Sequence, residues 1–298
     1  MTILTAVILF GPVSYAAVLS VPDQYATIQA AVDAANSGDS IMVDGGTYAG
    51  AIVRKSLEID GNGATIDGSL SSLAAGFMLR GAEAAGSTIS HFTFKNVLFG
   101  VTVNGVDDAT ISHNVMGDET LAQGITIGTL RGVGSKRTLI SHNVINDVQL
   151  AKAGFGSVGI ATFLSENVMM KHNKIITQDK ARRTTNGYIY GIVVLSSKGT
   201  MISQNDVHMA YGQVLTNAVN IDSKSTGTVV SFNDLRGTSY DFIDKANDPN
   251  FGPSANTTVQ RNFADGPEIA AGNRGEGRTD IRPSELLPHG NVVVEFTE

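Results

Sequence analysis

The chain has no cysteine and no tryptophan, and aromatic residues make up 6% of its 298 residues. Without cysteine there is no disulfide, no thiolate metal site and no cysteine nucleophile. With few aromatics, a core built around large rings is disfavoured. The 33 glycines point instead to many tight turns. Aromatic platforms for stacking bases are missing too, and the net charge is −7, so nucleic acid is excluded as the expected partner. No run in the body of the chain is long and apolar enough to span a membrane.

The beginning reads as an export signal over residues 1–20. Ile3 to Phe10 is an apolar run, and Ser14-Tyr15-Ala16 followed by Ala17 offers a small-residue cleavage site, although no Lys or Arg precedes the run. Secretion or a periplasmic location is the expectation. The domain division that follows is residues 1–20 as signal, 21–264 as one repeat domain and 265–298 as a C-terminal cap or tail. Between 26 and 36, Ile28, Ala31, Val32 and Ala35 share one helical face, with Thr27 near its start and Gly38 just past its end. A short amphipathic helix there suits the open end of a repeat array, which otherwise exposes unpaired backbone and core.

A repeat dominates the rest. Thr110-Ile111-Ser112-His113-Asn114 recurs around Asn143, Asn173, Asn205, Asn233 and Asn262, at spacings of 29, 30, 32, 28 and 29 residues. A degenerate copy ends on His91-Phe92, 22 residues before Asn114. Within each period a second short β-branched run opens on a small residue, as in Gly100-Val101-Thr102-Val103, Gly124–Ile127, Gly159–Thr162, Gly191–Val194 and Ala218–Ile221. A period near 22 without helical patterning is one coil of a three-sheet solenoid, and the extra residues form outward loops at 145–157, 177–190 and 207–217. The fold class expected is all-β, a single-stranded right-handed parallel β-helix with an N-terminal capping helix. Asn tolerates left-handed backbone and bonds its own turn, and stacked copies form an amide ladder.

These repeats, with the segment VPDQYATIQAAVDAANSGDSIMVDGGTYAGAIV before them, resemble the pectin-lyase-like right-handed parallel β-helix superfamily from about Val21 to Ala264. The resemblance implies the fold. It leaves the chemistry open among polysaccharide lyases, hydrolases, epimerases and non-catalytic binding or maturation proteins.

Four groups of residues carry candidate chemistry. His91, His113, His142 and His172 fall in one column, where a shared metal competes with plain side-chain stacking. Asp107, Lys136, Glu166, Lys198, Thr226 and Ala255, seven residues before each Asn, read as a charge-paired column. The stretch from Lys136 to Lys198 has nine basic residues against three carboxylates, net +6, which leaves −13 for the remainder. It holds Lys171, Arg182 and Arg183, with Tyr188 and Tyr190 following, and with His208 and Tyr211 in the next loop. Such residues neutralise a uronate carboxylate and serve as the base of a β-elimination, against the plain alternative of a solvated loop. Asp222 and Asp244 are candidate Ca²⁺ ligands or an acid/base pair. Asn220-Ile221-Asp222 resembles the Asn-x-Asp of polygalacturonase-like hydrolases, but the motifs that accompany it are missing. So are the Asp-Pro-His of alginate epimerases and the Arg-rich signature of pectate lyases. The reading is an exported protein that binds or acts on acidic polysaccharide, with a lyase favoured over a glycoside hydrolase. The alternatives are a non-catalytic carbohydrate-binding or cell-surface module and a periplasmic metalloenzyme-maturation protein.

Overall fold

The computed structural model describes residues 16–117, 121–129, 132–146, 148, 157–177, 188–209, 215–222, 224–237, 240–245, 254–263, 269–270 and 291–294. The chain winds through three parallel sheets as a parallel β-helix. Sheet 1 runs from Val18–Val21 to Thr258–Phe263, and Asn291–Val294 joins that last strand antiparallel. Sheet 2 runs from Ala51–Val53 to Ile269–Ala270, and sheet 3 from Thr47–Tyr48 to Asp206–Met209. Each coil passes from sheet 1 through the Asn corner into sheet 3, then across a loop into sheet 2 and back.

Register follows the repeat. Ile89, Ile111, Ile140, Met170, Ile202 and Val230 pair in sequence along sheet 1 and are buried. Phe77, Val101, Ile125, Ile160, Ile192 and Val219 do the same in sheet 2. The small residues that open the sheet 2 strands have a steric cause. A Cβ on Gly100 falls 2.4 Å from Met116 Sδ, and one on Gly191 falls 2.5 Å from Val207 Cγ1. Core side chains of sheet 3 occupy the space that a side chain there would need.

The Asn ladder is internal. Asn114, Asn143, Asn173, Asn205, Asn233 and Asn262 are buried, and each side-chain amide donates to the next Asn Oδ1 at 2.9–3.1 Å. The left-handed residue of the corner is not Asn, however. It is the residue before it, with φ of 55–60° at His91, His113, His142, His172, Gln204, Phe232 and Arg261. That residue turns the chain and points outward, which leaves Asn extended enough to direct its amide along the stack. The ladder ends at Phe92, whose N–H donates to Asn114 Oδ1 and whose ring packs on Phe77 at 5.0 Å.

A second ladder lies at the corner from sheet 2 to sheet 1. The backbone N–H groups of Val106, Ser135, Ser165 and Ser197 donate to the hydroxyl oxygens of Ser135, Ser165, Ser197 and Ser225 in turn. These serines sit eight residues before each ladder Asn. The column beside them is in backbone register, with Lys136, Glu166, Lys198, Thr226 and Ala255 bridging in order; Lys136 Nζ lies 3.4 Å from Glu166, while Asp107 pairs with Arg137.

The helix is shorter than the spacing suggests, Ile28–Ala34, and Thr27 Oγ1 accepts from Ala30 N–H at its start. Ile28, Ala31, Val32 and Ala35 are buried. Beyond covering core, the helix pairs with the first strand of sheet 2 through one side chain. Gln29 Oε1 accepts from Ile52 N–H at 2.8 Å, and its amide donates to Ile52 O at 3.3 Å. Lys55 Nζ in turn donates to the carbonyls of Val32, Asp33 and Ala35 at the helix end, where cations are favoured.

Candidate functional site

The three segments expected as long loops lie between strands of sheet 3 and strands of sheet 2. They follow the adjacent strands Val144–Asn146, Lys174–Thr177 and Asp206–Met209, and lead to the adjacent strands Ser157–Phe163, Tyr188–Leu195 and Leu215–Asp222. Two surfaces flank their roots, one on each sheet.

On sheet 2, Val219 and Ile221 face the core, so Asn220 and Asp222 face outward by strand alternation. Asn217 pairs with Tyr190, Asn220 with Val193 and Asp222 with Leu195. Two adjacent coils of this outer face are apolar: Val158, Ala161 and Phe163 of one and Val193 of the next are buried together, with Tyr190 and Leu195 packed on them. The next coil is polar. Asn217, Asn220 and Asp222 are buried, and the Oδ1 atoms of Asn217 and Asn220 accept no hydrogen bond.

On sheet 3 the outward positions are those one and three residues after the ladder Asn. In the late coils they carry Lys174, then Asp206 and His208, then Asp234 and Arg236, and Asp206 bridges Asp234 across the strands. His208 Nε2 lies 2.6 Å from Asp206 Oδ1 and 3.6 Å from Asp234 Oδ2. Arg236 grips Asp234 with both oxygens engaged, at 2.8 and 2.5 Å, and Lys174 Nζ is 3.9 Å from Asp206 Oδ2. The Arg236 hydrogen bonds, opposed by partial burial and aided by the nearby His208, hold the Asp234 carboxyl below the usual carboxylate range. Asp206 Oδ1 is sealed from solvent and receives no aligned hydrogen bond, despite its short approach to His208.

The residues singled out from sequence divide between these surfaces. His208 lies on the strand Asp206–Met209, not in a loop: the loop shrinks because Val207 is a core residue paired with Ile175. Tyr188 pairs with Leu215 at the start of its strand. Lys171 ends the sheet 1 strand Met169–Lys171, so the Asn corner separates it from the loops. Asp222 pairs with Lys245, and Asp244 with Ile221, so the register does not set the two carboxyl-bearing positions side by side. Arg182, Arg183 and Tyr211 lie outside the described residues. Sequence reasoning missed Asp206, Asp234 and Arg236. Their signal was position: Asp206 and Asp234 each directly follow a ladder Asn.

The His column stacks. The ring centroids of His91, His113, His142 and His172 are 5.1, 4.8 and 4.9 Å apart, with interplanar angles of 2–26°. Imidazole lone pairs lie in the ring plane, so near-parallel stacked rings cannot aim them at one shared ion. Desolvation, with the neighbouring His113, His172 and Lys171 charges, pushes the His142 pKa down.

No family model matches the chain, and no curated protein matches it. Among solved structures it is similar to the DFA-IIIase of Arthrobacter chlorophenolicus A6, with a TM-score of 0.39 and 12% identity, covering 82% of this chain and 60% of that one. It is also similar to the periplasmic alginate epimerase AlgG (0.36, 14%, covering 75% and 56%) and to pectate lyase Pel9A (0.37, 13%, covering 92% and 85%). The chain thus spans under two thirds of the length of the first two. None of these likenesses carries chemistry to this chain. No helix among the described residues is long and apolar enough to cross a membrane.

Proposed function

We propose that the protein is exported and binds acidic polysaccharide over the outer face of sheet 2. One observation carries the reading. The strands that follow the segments 178–187 and 210–214 put Tyr190 beside Asn217, with Asn220 and Asp222 along the same face. An aromatic ring such as that of Tyr190 stacks on a pyranose face. The basic residues Lys180, Arg182 and Arg183 belong to the first of these segments and match the carboxylate of a uronate. A lyase needs, in addition, a base beside the carbon that loses its proton; Tyr188 and Tyr211 are the candidates for that role, since His208 stands on the sheet 3 face.

The test is calorimetry or affinity electrophoresis with polygalacturonate and alginate. Binding is expected at low salt and is expected to weaken steeply as salt rises, since exposed charges are screened within about 10 Å at 0.1 M. Arg182→Ala/Arg183→Ala and Asn220→Ala should each weaken it. A chain that binds no acidic glycan at low salt overturns the reading. Absorbance from unsaturated product ends separates a lyase from a binding module.

A further inference from the structure

We propose that Asp206, His208 and Asp234 form a site for a divalent transition-metal ion, with Asp206 Oδ1, His208 Nε2 and Asp234 Oδ2 as ligands. The site is independent of the glycan surface, since it lies on the outer face of sheet 3.

The repeat builds it. Asp206 and His208 are two residues apart on one strand, so both side chains leave the same face. Asp234 sits across the sheet from Asp206 because each follows its own ladder Asn directly. The three ligand atoms all lie within 4.8 Å of one another. Ligands about 2.0–2.1 Å from a tetrahedral zinc ion are roughly 3.3 Å apart, and the measured 2.6 and 3.6 Å bracket that spacing.

The competing account is an ion-pair network in which Lys174 and Arg236 neutralise the two carboxylates. It explains Asp234, which Arg236 holds by both oxygens. It leaves Asp206 Oδ1 unexplained. Lys174 approaches the other oxygen, at 3.9 Å, and the His208 ring nitrogen approaches Oδ1 without the alignment of a donor. An oxygen sealed from water with no aligned donor is costly, and in the tautomer of His208 that leaves Nε2 unprotonated, a cation bound to both atoms relieves their approach at 2.6 Å. On the metal account Arg236 has a role as well. It fixes the orientation of the Asp234 carboxylate, while each oxygen keeps a second lone pair, as hydrogen-bonded ligating carboxylates do.

The donor set selects the ion. One imidazole nitrogen with two carboxylate oxygens suits Zn²⁺ or Mn²⁺, with water filling the remaining positions. Ca²⁺ takes six to eight oxygens and has no use for the imidazole. Because Lys174 and Arg236 already balance two charges, the ion binds as an exchangeable one.

The experiment titrates chelator-treated full-length chain with ZnCl₂, MnCl₂ and CaCl₂ by calorimetry at neutral pH, and follows the thermal midpoint with and without each ion. One equivalent of Zn²⁺ or Mn²⁺ is expected to bind and to raise the midpoint by mass action, with Ca²⁺ weaker. His208→Ala and Asp206→Asn should each lower the affinity at least ten-fold, and Lys174→Ala should raise it by removing a competing cation. Circular dichroism identifies any variant that fails to fold, and His208→Gln, which keeps bulk without a ring nitrogen, serves as the second test of the same position. No binding of any of these ions at about 1 mM, the floor of weak specific affinity, overturns the proposal. So does binding that His208→Ala and Asp206→Asn leave unchanged. Neither outcome bears on the glycan surface, which is assayed with polymer in the presence of chelator.

Discussion

Asn143 gives two hydrogen bonds to one oxygen of Asn173: its side-chain amide reaches Asn173 Oδ1 at 3.0 Å and its backbone N–H reaches the same atom at 3.1 Å. Asn173 meanwhile donates to Asn205 Oδ1 and to Ile140 O. Removing the amide in Asn173→Ala thus leaves the Asn143 backbone N–H without its acceptor and takes one bond each from the Asn143 amide, Asn205 Oδ1 and Ile140 O inside the coil. The expected loss is about 1–3 kcal/mol, the cost of an unsatisfied buried group, read by chemical denaturation of parent and variant. A midpoint that does not move contradicts an energetic role for the ladder.

The opposite sign is expected one corner away. Thr138, Thr200, Thr228 and Thr257 lie five residues before Asn143, Asn205, Asn233 and Asn262, and their hydroxyls are sealed without a partner. Val168 occupies the same column, buried, in the coil between Thr138 and Thr200. Thr200→Val keeps the shape and removes the orphaned hydroxyl, so a gain of about 1 kcal/mol is expected. A lower melting temperature in the variant counts against an unsatisfied hydroxyl at that site.

Stacking makes His142 a pH-dependent element. Its pKa is depressed in the folded chain by desolvation and by neighbouring positive charge. The unfolded chain then holds more protons near the ordinary histidine value of about 6.5, so folding stability is complete above that pH and falls as the pH drops below it. His142→Gln places at this corner the residue that already stands at Gln204 with φ 58°. The variant should show a flatter dependence of melting temperature on pH between about 7 and 5. Parallel curves for parent and variant remove His142 from the account.

Gln29 closes an edge. By bonding both backbone groups of Ile52, it stands in for the strand that Ala51–Val53 lacks on that side. Gln29→Ala leaves the helix and its buried face intact but frees those groups, and an open edge invites pairing with another chain. Light scattering on concentrated samples should detect more self-association in Gln29→Ala than in the parent, with the same helix and sheet signal.

The fold was legible because one residue type, Asn, recurs in one column, and the column identifies the coil. The Ser ladder eight residues earlier was just as regular, in Ser135, Ser165, Ser197 and Ser225, but each serine alone resembles ordinary turn chemistry. The left-handed corner was assigned to Asn because Asn tolerates it. The outward position before it takes that geometry instead, since the ladder needs Asn facing in. The cluster of Asp206, His208 and Asp234 was not read, because it exists only when two columns from two coils are superposed. Charge counting drew attention to loops, whereas these residues sit on a strand face and at a bridge beside it. His208 was singled out, but as a loop residue, and its strand became visible only through the pairing of Val207 with the core of the coil before.

The last expectation concerns the start of the folded chain. Ala17 N–H donates to Asp39 Oδ1 at 2.7 Å, and Asp39 Oδ2 accepts from Asn36 N–H at 2.7 Å. Asp39 is buried, and these two bonds, Ala17 first, hold its carboxyl below the ordinary range. Sheet 1 begins one residue after Ala17, at Val18. Cleavage after Ala16, the boundary suggested by Ser14-Tyr15-Ala16, leaves the strand whole, whereas removal of all of residues 1–20 takes away most of it, including buried Leu19. Processing at that point also turns the donor at Asp39 into an α-ammonium group, which converts a neutral hydrogen bond into a charge-assisted one. On the proposed export, intact mass and N-terminal sequencing of the processed chain should therefore give Ala17 as the first residue. Processed chain carrying Asp39→Asn should melt lower than the processed parent, and the gap should narrow at acid pH as the parent carboxylate is protonated. A mature chain that starts beyond Leu19, or an Asp39→Asn variant with an unchanged melting curve, rules this arrangement out.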